Sequence, residues 1–224
     1  MNVLHVCANP KPTEESVSKQ LAAAFFAKLI ELRPDVELVN VDLYDEKPPF
    51  YSAELYRRVW YPVFDESYEP SKVEEMSTNY ASKQAEAFNA ADVLVLTMPM
   101  WNFTVPAIMK AWMDQVLCPG LTFSISKEEG VKGLHKIKSI VLLVSSGGVY
   151  KEDDDRDALS RQVRNAFGFI GIDDLEIVWA EGQNPLFFDN HEENKAIAIE
   201  AASEIAEDVA ELDLNAAAQE VAAG

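Results

Sequence analysis

The stretch that most constrains the fold is Val93–Val116, VLVLTMPMWNFTVPAIMKAWMDQV. Its four opening apolar residues, Val93 to Leu96, read as a strand. Apolar residues then return at helical spacing as Val105, Ile108, Met109, Trp112, Met113 and Val116. The connection between them is unusual. Loops are normally polar and solvated, yet this one sets Met100, Trp101 and Phe103 around a single amide, Asn102. In an open parallel sheet, ligands sit in the crevice at the carboxyl ends of the strands. A loop of this kind placed there suits a flat, mostly apolar ligand with polar edges.

The remaining segments supply partners for that unit. Asn2–Ala8 reads as a buried strand, followed by the loop Asn9–Glu15. Val17, Leu21, Phe25, Leu29 and Leu32 share one face of a helix that stops near Pro34. Val36–Val41 is a second strand. Ser71–Ala91 is a helix with Val73, Met76, Tyr80, Gln84, Ala87 and Phe88 on or near one face. Ile137–Ser145 and Leu175–Ala180 are the fourth and fifth strands, with a mostly helical Asp153–Phe169 between them. His191–Leu212 is a last helix, amphipathic through Ile199, Ile205, Val209 and Leu212. Two insertions interrupt this alternation. Residues 48–70 are aromatic-rich, broken by prolines and without a clear period; they predict an excursion with at most short helices, suited to a pocket wall or a subunit contact. Residues 117–133 predict a loop with a short β-arm at Leu121–Ile125. Residues 213–224 are Ala-rich and predict a frayed tail.

Strands alternating with helices give an α/β fold: one domain over residues 1–212, a doubly wound five-stranded parallel sheet with helices on both faces. The dinucleotide fingerprint G-x-G-x-x-G is missing after the first strand, since no glycine precedes Gly120. The flavodoxin-like order 2-1-3-4-5 fits instead, with its ligand site beside the first and third strands. Apolar residues make up 48% of the chain, which argues against wholesale disorder. No apolar run approaches the ~20 residues a membrane span requires. The segment MNVLHVCANP reads directly as a strand and not as a signal peptide, so a cytoplasmic location is expected. The net charge of −19 argues against a nucleic-acid partner. Cys7 and Cys118 show neither metal nor redox spacing, and no metal site is predicted.

Three pieces carry chemistry. Ser16, Val17 and Ser18 open the first helix, where hydroxyls and free N–H groups can hold a phosphate without lysine or arginine. Glu14 and Glu15 must then point to solvent, or else form the first turn of a helix capped by Thr13. Trp101-Asn102-Phe103 offers flat groups and an amide. Ser145-Ser146-Gly147-Gly148 ends a strand with glycines that let backbone N–H groups approach a ligand closely. Each is also an ordinary structural feature taken alone: a cap, a core contact, a turn. Together they fall at the carboxyl ends of the first, third and fourth strands.

Four runs then resemble the FMN-dependent NADH-azoreductases of the NAD(P)H:quinone oxidoreductase group: Pro99-Met100-Trp101-Asn102-Phe103, Ser145-Ser146-Gly147-Gly148, Gly168-Phe169-Ile170-Gly171-Ile172 and Ala180-Glu181-Gly182. The resemblance spans about Asn2 to Gly182. It implies that Asn9, Ser16, Val17 and Ser18 hold the FMN phosphate and ribityl chain. Met100, Trp101, Asn102 and Phe103 would lie along the isoalloxazine edge, and Ser145, Ser146, Gly147 and Gly148 near its pyrimidine side. Asn9-Pro10 stands where the family often has serine, and Ser146 where it usually has arginine or a similar residue. The resemblance also implies NADH or NADPH as electron donor, a quinone or azo compound as acceptor, ping-pong hydride transfer, and a homodimer whose partner lends an aromatic roof from Tyr51, Trp60, Tyr61 and Phe64. Tyr150, just past the glycine pair, is the candidate proton or hydrogen-bond donor to the substrate oxygen. No arginine stands in an obvious place to read a 2′-phosphate, which leans towards NADH. The alternatives are a flavodoxin-type electron carrier and a flavin-free binding protein on the same fold.

Overall fold

The computed structural model describes residues 1–150 and 154–212. Five parallel strands form the central sheet: β1 (Asn2–Cys7), β2 (Glu37–Asp42), β3 (Val93–Pro99), β6 (Ser139–Ser145) and β7 (Leu175–Ala180). Their spatial order is β2-β1-β3-β6-β7, which in chain order of the five is the expected 2-1-3-4-5. A separate antiparallel arm pairs β4 (Phe123–Ser126) with β5 (Gly130–Gly133), two residues later than the predicted β-arm. The long helices are α1 (Val17–Leu32), α2 (Ala53–Phe64), α4 (Asn79–Ala90), α5 (Ala107–Val116), α6 (Ala158–Gly168) and α7 (His191–Ala210), with a short α3 (Lys72–Ser77) before α4.

The central strands are apolar because both of their faces are covered. Every residue of β3 is buried. Leu94, Leu96 and Met98 face a core closed by Phe88 of α4, Met109, Trp112 and Met113 of α5, and Leu159, Val163 and Phe167 of α6. Val93 and Val95 face the other core, closed by Leu21, Phe25 and Leu29 of α1 and by Ala198, Ala202 and Ala206 of α7. The indole Nε1 of Trp112 donates to Gln84 Oε1 at 3.0 Å, so its burial leaves no polar atom unpaired.

The register sets the rim level. Pro99 lies opposite Ser145, and Ser145 opposite Ala180. Cys7 pairs with Thr97, and the Ala8 amide donates to Thr97 O at 2.8 Å, which brings Asn9 up beside Pro99. The first, third and fourth strands of the sequence reading therefore end at one height.

Several expectations need correction. The 48–70 excursion contains a twelve-residue helix, α2. Ser52 caps it by accepting from the Leu55 amide, and Leu55 and Val59, one turn apart, are buried. Pro62 lies in its last turn, where it removes the i→i−4 bond to the Arg58 carbonyl, and the helix ends two residues later. The Ser71–Ala91 segment is two helices divided at Thr78, and Val73 and Met76 are 65% and 68% exposed rather than on the packed face. Leu32 is likewise exposed at the end of α1. The helix expected from Asp153 begins at Ala158, where the Asp157 carboxylate accepts from the Ser160 amide at 3.0 Å. In α7 the buried line is alanine, Ala198, Ala202 and Ala206, ending in Val209; Ile199, Ile205 and Leu212 pack only partly. The predicted tail, 213–224, lies outside the described residues.

Candidate active site at the carboxyl rim

The phosphate-side cradle is built around Asn9, which is 3% exposed. Its Nδ2 donates to Ser16 Oγ at 2.7 Å and to Ser18 Oγ at 3.1 Å, while its Oδ1 accepts from the Lys11 amide at 3.1 Å. Ser16 is the N-cap of α1 and accepts from the Lys19 amide at 3.2 Å. Thr13–Glu15 form a separate 3-10 turn rather than the first turn of a helix capped by Thr13; Glu14 and Glu15 are exposed, and Glu15 lines the adjoining cleft. The first amides of α1, those of Val17 and Ser18, are the ones a helix start leaves without carbonyl partners, and they gather partial positive charge there.

The second bend is a tight hairpin. Trp101 and Thr104 exchange both backbone hydrogen bonds, at 3.2 and 3.1 Å. Asn102 and Phe103 between them both have left-handed φ, 49° and 69°. That is the conformation of a type I′ turn, which usually takes Asn-Gly. Phenylalanine in this region is strained, by about 1–2 kcal/mol. The surroundings hold it: the Phe103 carbonyl accepts from the Ala158 amide at 3.0 Å, and Thr104 Oγ1 donates to Gln162 Oε1 at 2.7 Å. Met100 is tied to the neighbouring strand through its amide and Ser145 O at 2.8 Å.

The third bend is Ser145–Gly148. Ser146 is 4% exposed and central to it: its hydroxyl donates to Gly148 O at 2.9 Å and accepts from Trp179 Nε1 at 2.8 Å. The turn is laced to the next one by Gly182 N to Gly148 O at 2.9 Å and Gln183 N to Ser146 O at 2.9 Å. A Cβ on Gly147 would meet only Asn184 Cβ, at 3.5 Å, so the glycine keeps this side of the turn open. Beyond it, the Tyr150 ring stacks on Trp179 with centroids 5.6 Å apart and stands edge-on to Phe103 at 6.5 Å. The Tyr150 amide donates to Glu181 Oε1 at 2.5 Å. Burial raises the Glu181 carboxyl above its usual range, and this amide works against the shift.

These bends share one trough. A cleft of about 440 Å³ is lined by Asn9, Ser16, Val17, Met100, Trp101, Ser145, Ser146 and Gly147, together with Lys11 and Glu15. A second, of about 540 Å³, is lined by Met100, Asn102, Phe103, Gly147, Gly148 and Tyr150. Met100, Gly147 and Asn184 line both, so the two run into each other. Every predicted site residue except Ser18 lines this trough; Ser18 is fully buried and bonds to Asn9 from behind. Five residues from two segments went unread in the sequence. Asn184, Pro185, Phe187 and Phe188 come from the loop after β7, and Arg156 from the turn before α6. The Asn-Pro turn and the 77% exposure of Phe187 are the signals that mark that loop.

Comparison with known proteins agrees with this geometry. The family model described as the flavodoxin-like fold matches residues 1–218. The FMN-dependent NADH:quinone oxidoreductase of Brevibacillus brevis is 35% identical over 207 residues, 92% of this chain and 98% of that protein. The chain belongs to this flavodoxin-like family of FMN-dependent NADH:quinone oxidoreductases and azoreductases. The same-named enzyme of Gluconacetobacter diazotrophicus is 34% identical over 90% of this chain and 96% of its own. Among solved structures, the azoreductase AzrA superposes with a TM-score of 0.82 at 32% identity, covering 92% of this chain and 99% of its own. An FMN-dependent NADH-azoreductase from Bacillus anthracis, solved in complex with FMN, superposes at 0.80 with 26% identity over 94% of this chain and all of its own.

Proposed function

We propose that this protein is an FMN-dependent oxidoreductase that takes electrons from NADH and reduces quinones and azo compounds. The observation that carries the reading is the single trough joining three strand ends, with neutral hydrogen-bond donors at one end and flat groups at the other. Its donor set suits FMN: hydroxyls and helix-start amides for a phosphate, a glycine turn and a tight hairpin for the edges of a planar ring. When bound, FMN supplies the two-electron redox chemistry.

The chain's own residues then have distinct tasks. Ser16 and the Val17 and Ser18 amides receive the phosphate, with Asn9 holding both hydroxyls in place. Met100, Trp101, Asn102 and Phe103 flank one ring edge, with Asn102 presenting an amide. Gly147 and Gly148 offer backbone N–H groups to the pyrimidine side, where fixed dipoles stabilise negative charge. Tyr150 stands at the open end and donates a hydrogen bond to the acceptor's oxygen or nitrogen. Donor and acceptor use this open end in turn, which predicts ping-pong kinetics.

The remaining assignments follow the same reading: residues 1–212 act as one domain, in the cytoplasm, as a homodimer. No helix among the described residues is long and apolar enough to cross a membrane. Of the four aromatics offered for the partner's roof, Tyr61 and Phe64 are 38% and 68% exposed, while Tyr51 and Trp60 pack against the α2 cluster. Phe50, 87% exposed, extends the candidate contact. The electron-carrier alternative is disfavoured by the second cleft of about 540 Å³ beside the ring end, because a carrier needs only an exposed ring edge.

The test is an absorption spectrum of protein loaded with FMN, recorded before and after NADH and again after a benzoquinone. Rapid bleaching by NADH and recovery with the quinone are expected. Protein that takes up no flavin, or bound flavin that NADH leaves oxidised, would remove the proposal.

A further inference from the structure

Arg156 is a charged residue at the ring end of the trough that none of the assigned roles uses. It lines the same wall as Met100, Phe103, Gly148 and Tyr150. Its guanidinium carbon sits 5.3 Å over the Tyr150 ring, and that ring is in turn stacked on Trp179. Asp154 grips it side-on, from Nε to Oδ1 at 3.0 Å and from Nη2 to Oδ2 at 2.7 Å. An arginine fixed by a bidentate carboxylate and an aromatic face is pre-aimed, and its Nη1 edge stays outside the pair. The side chain is still 62% exposed, so an incoming anion can reach it.

The local charge makes this more pointed. The chain carries 38 acidic against 19 basic residues. The charged residues lining the trough are nonetheless Lys11 and Glu15 at the phosphate end and Arg156 at the ring end. Among the described residues lining the ring end, the one charged group is thus a cation, paired with Asp154 beside it, on a molecule whose overall field repels anions. A reduced nicotinamide dinucleotide must bring a diphosphate to that mouth.

We propose that Arg156 is a specificity-determining residue that binds the diphosphate of the electron donor, seating the nicotinamide at the open end. The inference rests on the reading of the protein as an NADH oxidoreductase. It accounts for how so acidic a protein accepts a dianionic donor: a pinned fork with a free edge matches phosphate geometry.

The experiment compares Arg156→Gln with the parent, both FMN-loaded and with matched flavin spectra and melting temperatures. The donors are NADH and N-benzyl-1,4-dihydronicotinamide, which carries the same reactive ring without phosphate. A rise of about tenfold in KM for NADH is expected, the size of one lost charge-assisted contact. KM for the small donor and kcat with saturating quinone should stay unchanged. Calorimetric binding of ADP-ribose, which needs no turnover, should weaken by a similar factor. Equal losses with both donors would mean that Arg156 only shapes the pocket. An unchanged KM for NADH with undiminished ADP-ribose binding would overturn the assignment, as would a change confined to anionic acceptors. If the parent protein oxidises neither donor yet Arg156→Gln still weakens ADP-ribose binding, the oxidoreductase reading fails and the diphosphate contact stands.

Discussion

Two bends in this molecule solve the same geometric problem in opposite ways. In the arm formed by β4 and β5 and the loop before it, the positive φ positions are Gly120 at 78° and Gly130 at 70°, and a Cβ on either would meet nothing within 4 Å. The chain there follows the cheapest route, since glycine accepts this backbone without strain. At the trough, the two positive φ positions are Asn102 and Phe103. Strain of this kind persists only where neighbours over-determine it, and it clusters at functional sites. Here the neighbours are the Ala158 amide and Gln162, both on α6. The contrast marks the trough hairpin as a place where side-chain identity matters more than local stability.

The strongest test of this contrast is a pair of glycine substitutions. Gly147→Val puts a branched side chain into the trough, and FMN affinity should fall about tenfold to a hundredfold, the range expected of overpacking a fitted site. Melting temperature should barely move, because Gly147 has no left-handed φ to lose. Gly130→Val should do the reverse: a loss of about 1–2 kcal/mol in denaturant titration, with FMN affinity intact. Similar flavin losses in both variants would erase the distinction between the trough and the arm.

A smaller effect is expected from Phe103→Gly. Relief of the strained backbone offsets the added freedom of the unfolded chain, so stability should stay within about 1 kcal/mol of the parent. Quinone reductase kcat/KM should nevertheless fall, because the ring edge loses its flanking aromatic. A large stability loss in chemical denaturation would show that the Phe103 side chain holds the fold rather than the site.

An effect that appears only on acidification lies away from both bends. Burial lowers His5 to a pKa of about 4, against the hydrogen bond its Nδ1 makes to Asn40 Oδ1 at 2.9 Å; in the neutral ring Nε2 then accepts from Thr97 Oγ1, also at 2.9 Å. A depressed folded pKa means that the unfolded chain takes up the proton first. Stability is therefore lost as pH falls from about 6.5 towards 4 and levels off below. His5→Gln should flatten the acid side of the stability curve in that window. An unchanged slope would place the acid response in other groups.

The sheet was legible because its signal is burial on both faces: Val93–Leu96 and Ile140–Val144 have no alternative in water. The trough was legible because three separate bends fall at strand ends, and strand order brings strand ends together. What stayed hidden follows from weaker signals. Helix α2 was masked by its prolines and aromatics, although Ser52 followed by Leu55 and Val59 gives a cap and a one-turn apolar pair. The turn type at Asn102-Phe103 was unreadable because phenylalanine gives no hint of a left-handed backbone. Arg156 was unreadable because its place depends on a turn held by Asp154 and on the Tyr150 ring earlier in the same connection.

The Asn9 cradle has a consequence for where such a protein can work. On the proposed reading it would grip a phosphate mainly through hydroxyls and main-chain dipoles, with Lys11 the one cation lining that end among the described residues. Salt should then weaken phosphate binding here less than in a cradle built of several lysines. An acidic shell around such a grip would let the molecule stay dissolved and keep its redox group over a wide span of salinity.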